Sequence, residues 1–337
     1  MSAGEVVLAK RLVPLVAARS LSKLYQVRRG IFFREHEVVH ALDDVSLVVR
    51  SGETLGVVGE SGSGKSTLGR VLLRLVEPSF GTIDFDGVDI TRLAEREMRR
   101  LRRRMQIVFQ DPSTSLNPRM TVREIVGEGL VIGRMASGAA LEERVRAELE
   151  RVGLDASTLD RYPHEFSGGQ RQRIAIARAL AVEPSFVVCD EPVSSLDVSV
   201  QAQIVNLLEE AQSSAKVAYL FISHDLRLVE YLSHRIAVMY FGRIVETGPA
   251  SELSTHPLHP YTQALFDASP RLPGRDEPKR KRLRLAGEPP SPTSPPTGCA
   301  FHPRCPRAER GRCDVEAPPL AAASPGSSHQ VACFFPA

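Results

Sequence analysis

Phosphate binding is the chemistry predicted for one glycine-rich segment, Gly59-Glu60-Ser61-Gly62-Ser63-Gly64-Lys65-Ser66-Thr67. Two glycines separated by four residues and followed by lysine and a hydroxyl residue are typical of a phosphate loop between a strand and a helix. Backbone N–H groups of such a loop point at the phosphates, and the helix adds the positive end of its dipole. We predict that Lys65 binds the β- and γ-phosphates, that Ser66 ligates Mg²⁺, and that Thr67 hydrogen-bonds a neighbouring phosphate oxygen. The alternative is a glycine-rich turn with an unrelated lysine.

Two adjacent carboxylates, Asp190 and Glu191, end an apolar run that starts at Ser185. Open α/β sheets bind their ligands at the carboxyl ends of strands. We therefore predict that Asp190 holds Mg²⁺ beside Ser66, and that Glu191 polarises the attacking water. Two solvated acids are the ordinary interpretation of such a pair in isolation, and the phosphate loop argues against it.

The elements that must position these groups are visible as short apolar runs at residues 54–59, 185–190 and 218–223. Each run ends in a turn, as buried central strands do. Because such runs alternate with helical patterns between about residues 13 and 253, the sequence predicts an α/β fold with a mainly parallel sheet.

Domain organisation follows from where this alternation stops. Residues 1–255 are predicted to form the nucleotide-binding domain, with a small helical subdomain at about 111–166, where strand-like runs are absent. Residues 256–337 form a C-terminal linker and extension, because residues 270–296 are rich in proline and carry the basic run Lys279-Arg280-Lys281-Arg282.

Composition excludes several classes of function. The chain has 337 residues, 42% hydrophobic and 25% charged, with a net charge of only +3, which does not favour nucleic-acid binding. No apolar run approaches the ~20 residues needed to span a bilayer, and the segment through Lys10 and Arg11 lacks the apolar core of a secretory signal. We expect the chain to stay in the cytoplasm and to meet a membrane only through a partner. The basic cluster at residues 99–104 is either a solvated helix face or a contact for acidic lipids or a membrane subunit.

A family resemblance is carried by the segment Phe166-Ser167-Gly168-Gly169-Gln170. It resembles the signature sequence of ATP-binding cassette (ABC) proteins, with phenylalanine at the usual leucine position. In that family two cassettes pack head to tail, so Ser167, Gly168, Gly169 and Gln170 of one chain would complete the phosphate site of the other. Taken alone, the segment is equally consistent with an ordinary N-capped helix.

The resemblance also implies roles for four further residues. Gln110 would sense Mg²⁺ and the attacking water, and His224 would contact the γ-phosphate. Asp197 would belong to the loop Ser194-Ser195-Leu196-Asp197 that crosses the dimer interface, with Ser195 at a position that is usually alanine. Tyr25 would stack on the adenine ring, although it could equally be a core or edge-strand aromatic.

A narrower resemblance rests on residues 24–32, 39–45, 110–112, 115–119 and 298–306. These segments are similar to the ATPase subunits of bacterial dipeptide and oligopeptide importers, and most similar to the second of the two paired ATPases. The resemblance implies ATP and Mg²⁺, a second ATP-binding subunit in a heterodimer, two transmembrane permease subunits, an extracytoplasmic peptide-binding protein, and a place at the cytoplasmic face of the membrane. The alternatives are an importer of nickel or another small solute, and a non-transport ABC ATPase.

Four of the five cysteines, Cys299, Cys305, Cys313 and Cys333, crowd into the last forty residues. In a reducing compartment this crowding favours metal over disulfides. The resembled importers offer a precedent, so we predict a [4Fe-4S] cluster held by these four residues. Zn²⁺, with His302 and His329 as substitute ligands, and free thiols are the alternatives. Cys189 lies in an apolar run and is expected to be a small buried hydrophobe.

Overall fold

The computed structural model describes residues 14–29, 35–194, 196–268, 287, 290, 291 and 293–337. The predicted basic run at 279–282 and Ser195 lie outside them. In the described part, the strands are β1 (Val16–Arg29), β2 (Glu35–Val49), β3 (Thr54–Val58), β4 (Phe80–Phe85), β5 (Val88–Asp89), β6 (Met105–Val108), β7 (Phe186–Asp190), β8 (Ala218–Ile222), β9 (Arg235–Tyr240), β10 (Arg243–Pro249), β11 (Ala321–Ala322) and β12 (Gln330–Val331).

The α-helices of the same residues are α1 (Lys65–Leu72), α2 (Glu95–Arg102), α3 (Pro112–Ser115), α4 (Val122–Ile132), α5 (Gly138–Arg151), α6 (Gly168–Leu180), α7 (Val198–Ala215), α8 (Leu226–Leu232), α9 (Ala250–Thr255) and α10 (Pro260–Ala268). Short 3-10 turns lie at Ala156–Thr158, Pro163–Glu165 and His302–Arg304. None of the described helices is long and apolar enough to cross a bilayer. The mixture of strands and helices confirms the α/β class.

The chain forms two compact units, and the first comprises residues 1–16, 48–54 and 84–223, as far as they are described. Its central strands β6, β7 and β8 are parallel, and β7 pairs with β8 up to Asp190 and Ile222. Both β7 and β8 are buried throughout, which explains their continuous apolar sequences. The segment between β6 and β7 is helical, and α4 packs against α5 and α6. The basic helix α2 buries only Met98, so its arginines form a largely solvated face.

The second unit comprises residues 17–47, 55–83 and 224–337, again as far as they are described. Strand β3 runs parallel to β9, and β9 pairs antiparallel with β10. Strand β12 then adds to β10, with Glu246 opposite Val331. Residues that the sequence assigns to a C-terminal extension therefore continue the sheet that contains β3, the strand before the phosphate loop.

Candidate functional site

The phosphate loop follows β3 and leads into α1, as its sequence predicts. Its glycines adopt backbone angles that other residues rarely take: φ is +151° at Gly59, +78° at Gly62 and +101° at Gly64. A Cβ on Gly59 would lie 2.2 Å from the carbonyl oxygen of Met239, so a side chain is excluded there. The Gly242 N–H donates to the Ser63 carbonyl (3.0 Å), which ties the loop to the β9–β10 turn.

Lys65 is almost fully buried inside this loop, at 6% exposure. Its Nζ donates to the carbonyl oxygens of Gly59 (2.7 Å) and Glu60 (2.9 Å). Gly64, the residue before α1, provides no side-chain cap, so the start of the helix is not covered by a capping side chain. A buried ammonium beside a helix N-terminus is suited to phosphate, because both attract negative charge.

The strand-end carboxylates and Gln110 lie together within the first unit. Asp190 ends β7 and is 4% exposed. Glu191 has φ of +49° and donates its N–H to the Ile222 carbonyl (2.9 Å); an αL backbone at a non-glycine residue stores strain of the kind found at functional sites. Gln110 Nε2 donates to Glu191 Oε2 at 3.0 Å. The structure therefore brings together two predicted residues that are 81 positions apart in the chain.

The signature segment forms the start of α6. Ser167 Oγ accepts from the Gln170 N–H (3.3 Å), and Gln170 Oε1 accepts from the Ser167 N–H (3.0 Å). This reciprocal arrangement is a capping box, so the N-capped-helix interpretation holds as a structural description. A Cβ on Gly168 would meet nothing within 4 Å, which leaves open space over the first helical residue.

The other three residues with family-derived roles occupy less specific positions. Asp197 caps α7: its carboxylate accepts from the Val200 N–H (3.0 Å) and the Ser199 hydroxyl (2.6 Å), and the Ser199 hydrogen bond lowers the pKa of Asp197. His224 is exposed after β8. Tyr25 is half-buried on β1, and Lys23 Nζ lies 4.9 Å from its ring centroid.

The four C-terminal cysteines line one small cavity together with His259, His302 and Phe334. They are free thiols, and the Cys299 N–H donates to the Cys313 carbonyl (2.8 Å). Burial raises the pKa of Cys299 to about 11, and it also raises those of Cys305 and Cys333.

These positions do not amount to a formed metal site. Within the residues described, no group of three or more histidine, cysteine or acidic side chains is placed to hold a metal ion. The cysteines converge, as predicted, but the cluster stays a prediction. His329 has another role, because its Nε2 lies 2.7 Å from buried Glu246. Cys189 is fully buried in β7, as expected, and burial raises its pKa.

Two residues that sequence reasoning missed contact the phosphate loop from the C-terminal region. Arg304 forms two hydrogen bonds with the Glu60 carboxylate, Nη1 to Oε2 at 2.8 Å and Nη2 to Oε1 at 3.1 Å. The Tyr261 hydroxyl accepts from the Glu60 N–H at 2.8 Å. A separation of 244 residues between Arg304 and Glu60 leaves no local sequence signal for the pair.

Comparison with known proteins places these features in a family. A family model described as "ABC transporter" matches residues 42–194, and one described as "Oligopeptide/dipeptide transporter, C-terminal region" matches residues 245–313. The oligopeptide transport ATP-binding protein AppF of Bacillus subtilis is 49% identical over 322 residues, which cover 95% of this chain and 97% of AppF. The dipeptide transport ATP-binding protein DppF of Haemophilus influenzae is 46% identical over 325 residues, which cover 96% and 98% of the two chains.

A solved structure extends the similarity to three dimensions. It is a dimeric ATP-binding cassette in a post-hydrolysis state, bound to ADP and Pi, and it aligns with a TM-score of 0.63 at 28% identity. The alignment covers 70% of this chain and 98% of the cassette. The ABC cassette fold expected from the signature segment is therefore confirmed.

Proposed function

Since this chain belongs to the family of ABC transporter ATP-binding subunits with the oligopeptide/dipeptide C-terminal region, we propose that it hydrolyses ATP to drive the import of di- or oligopeptides. It is an ABC-type ATPase by family. The hydrogen bond between Gln110 and Glu191 (3.0 Å) carries the hydrolytic part of the proposal. It holds the carboxylate at the end of a buried strand in one orientation, as a group that polarises water requires.

Each predicted site residue then has a chemical task. On ATP binding, Lys65 exchanges its carbonyl partners on Gly59 and Glu60 for phosphate oxygens, which carry more negative charge. Glu191 accepts a proton from the attacking water. Most of the acceleration comes from positioning and charge stabilisation, as in phosphoryl transfer generally.

Magnesium fits the donor types assigned to it. Ser66, Gln110 and Asp190 offer hydroxyl, amide and carboxylate oxygens, which are the hard ligands that Mg²⁺ prefers. The metal would neutralise charge on the phosphates. Asp190 is buried at a strand end. Burying a carboxylate costs free energy unless it binds a cation or a hydrogen-bond donor.

We infer the partners from the family. We propose that the chain pairs with a second ATP-binding subunit, most simply in a heterodimer, and docks on two permease subunits at the cytoplasmic face of the membrane. A separate binding protein would deliver the peptide. The dimeric state of the similar solved cassette supports the pairing, and an open space over Gly168 is compatible with a nucleotide held by a partner chain.

An iron–sulfur centre is the proposed occupant of the cysteine cavity. Four thiols around one cavity fit the four ligands of a [4Fe-4S] cluster better than they fit a disulfide framework. Burial raises the pKa of Cys299, Cys305 and Cys333, which favours their protonated forms without metal, so cluster binding would release protons. When bound, the cluster would cross-link a segment that has little apolar core. Anaerobic purification with iron and sulfide analysis tests this. A colourless protein with stoichiometric zinc, or with no metal, would contradict it.

The transport proposal is tested with the assembled complex in proteoliposomes. ATP-dependent uptake of a labelled dipeptide is expected, and uptake of Ni²⁺ but not of peptides would favour the alternative importer. Glu191→Gln should retain ATP binding and lose turnover by about 10²- to 10⁴-fold, since the amide cannot act as a base. Glu143→Gln, an exposed acid on α5, is the matched control. Near-normal hydrolysis by Glu191→Gln would refute the role of Glu191.

A further inference from the structure

The phosphate loop has an anchor outside its own motif, at its second residue, Glu60. The Glu60 carboxylate receives both terminal nitrogens of Arg304, and the Glu60 N–H donates to the Tyr261 hydroxyl. Glu60 is thus held by its side chain and by its backbone. All three residues belong to the second unit.

This anchor is shielded from solvent. The side chain of Arg304 is 6% exposed and that of Glu60 is 26% exposed. Bidentate pairs between guanidinium and carboxylate are short, directional and stronger than neutral hydrogen bonds, and burial reduces their screening by salt. The hydrogen bond to Glu60 raises the pKa of Arg304 further, so the guanidinium is charged at every physiological pH.

The residues that hold Glu60 are themselves fixed by aromatic packing. Phe301 is 1% exposed, and its ring centroid lies 5.4 Å from that of Tyr261 and 5.2 Å from that of Tyr240. The Tyr240 hydroxyl accepts a further hydrogen bond from Arg304 Nη1, at 3.4 Å. Arg304 ends the 3-10 turn that connects Phe301 to Cys305. Rigid neighbours of this kind are what a preorganised binding site requires.

Fixing Glu60 also fixes an atom that the catalytic lysine uses. Lys65 Nζ donates to the Glu60 carbonyl at 2.9 Å. A shift of Glu60 would therefore move the carbonyl that holds Lys65 before ATP binds. It would also move the N–H groups of the following loop residues, which must converge on the phosphates.

From this geometry we propose that Arg304 and Tyr261 are positioning residues for ATP, which act through Glu60 on the phosphate loop. The proposal rests on the proposed ATPase function of the chain. Neither residue touches the reacting atoms. They hold the loop in the conformation that binds triphosphate, so that the C-terminal region sets the affinity of the site for nucleotide.

The test separates nucleotide affinity from turnover. Arg304→Gln should raise the Kd of the full chain for Mg·ATP by about tenfold, which equals ~1.4 kcal/mol. In the assembled transporter it should raise KM for ATP similarly and leave kcat within about twofold, because the reacting groups are unchanged. Arg304→Lys should recover part of the affinity, and Tyr261→Phe should cause a smaller loss. Arg310→Gln, which removes an exposed charge from the same segment, should behave as wild type.

A double-mutant cycle shows whether the two residues act through the same contact. Glu60→Gln combined with Arg304→Gln should bind ATP no more weakly than the weaker single variant, because the pair is already broken. Additive losses would overturn the proposal, since Arg304 would then act elsewhere. A Kd within twofold of wild type for Arg304→Gln would also overturn it.

Two controls keep the outcome interpretable. Lys65→Ala should abolish tight ATP binding, and if it does not, the proposed ATPase function fails. If Lys65→Ala loses ATP affinity but Arg304→Gln does not, only the proposed role of Arg304 is refuted. If Arg304→Gln does not fold, Arg304→Lys and Tyr261→Phe decide the question. Reduced thermal stability with unchanged Kd in both variants would assign the contact a purely structural role and reject the proposal.

Discussion

Substitution of Glu246 by glutamine tests how firmly the C-terminal residues are built into the second unit. Glu246 lies in β10 and is fully buried. Its Oε1 accepts from the Leu258 N–H (2.7 Å) and lies 2.7 Å from His329 Nε2, and its Oε2 accepts from the His259 N–H (2.9 Å).

The expected loss can be worked out from these three contacts. In Glu246→Gln the amide oxygen can replace Oε1, but the NH₂ group then faces the His259 N–H, donor against donor. One buried donor loses its acceptor, at about 1–3 kcal/mol, and the two remaining bonds lose their charged partner. We expect a loss of roughly 2–4 kcal/mol, a large fraction of the stability of a typical domain.

Hydrogen exchange read by mass spectrometry on a peptide that covers residues 245–268 is the most direct assay. A loss of 2 kcal/mol should accelerate exchange of the Leu258 and His259 amides by about thirtyfold. Glu252→Gln is the matched control, because Glu252 is 47% exposed and lies 3.5 Å from the other nitrogen of His329; its effect should stay below about 0.5 kcal/mol. Equal exchange rates in the two variants would refute the reasoning.

Four further outcomes are expected. Gln110→Ala removes the donor to Glu191 and should lower kcat by roughly 10- to 150-fold, because a hydrogen bond to a carboxylate contributes about 1.5–3 kcal/mol, while the Kd for ATP stays unchanged; a change in Kd alone would contradict an orienting role. Ser167→Ala in one chain of a mixed dimer should impair the nucleotide site whose Lys65 belongs to the partner, and loss confined to the mutated chain's own nucleotide would contradict head-to-tail pairing. In metal-free protein, alkylation of Cys299 by iodoacetamide should speed up about tenfold per pH unit up to its pKa of about 11, since only the thiolate reacts; a plateau near pH 9 would show an unperturbed thiol. Because the pKa of Cys299 is raised, the folded protein keeps the thiol proton at pH values where the unfolded chain has already released it. The free energy of unfolding of the metal-free protein should therefore fall progressively between pH 9 and 11.

The features that could be predicted from the sequence are those with a local pattern of residue types. The apolar runs at 54–59, 185–190 and 218–223 correspond to β3, β7 and β8, because a buried parallel strand must be apolar on both faces. The phosphate loop could be placed for a similar reason, since its glycines are required by backbone angles that only glycine adopts readily.

The features that escaped prediction lack a local pattern. Strand β12 has only two residues, Gln330 and Val331, too few to show periodicity. Glu246 is a buried acid, whereas acidic residues are almost always exposed. His329 was a candidate zinc ligand because of its residue type, but its imidazole contacts the buried Glu246 carboxylate. Contacts between residues so far apart in sequence are set by the tertiary fold.

The late addition of β12 to β10 has a consequence for synthesis of the protein on the ribosome. Glu246 is translated roughly 85 residues before its partner Val331. At typical rates of roughly 5–20 residues per second, the ribosome needs about 4–17 s to synthesise the residues between them. During that interval the N–H and C=O groups along one edge of β10 have no strand beside them, and an open edge can pair with another nascent chain. The growing chain therefore passes through an aggregation-prone stage that ends only when β12 is made, and conditions that slow elongation over residues 250–330 should prolong its dependence on chaperones.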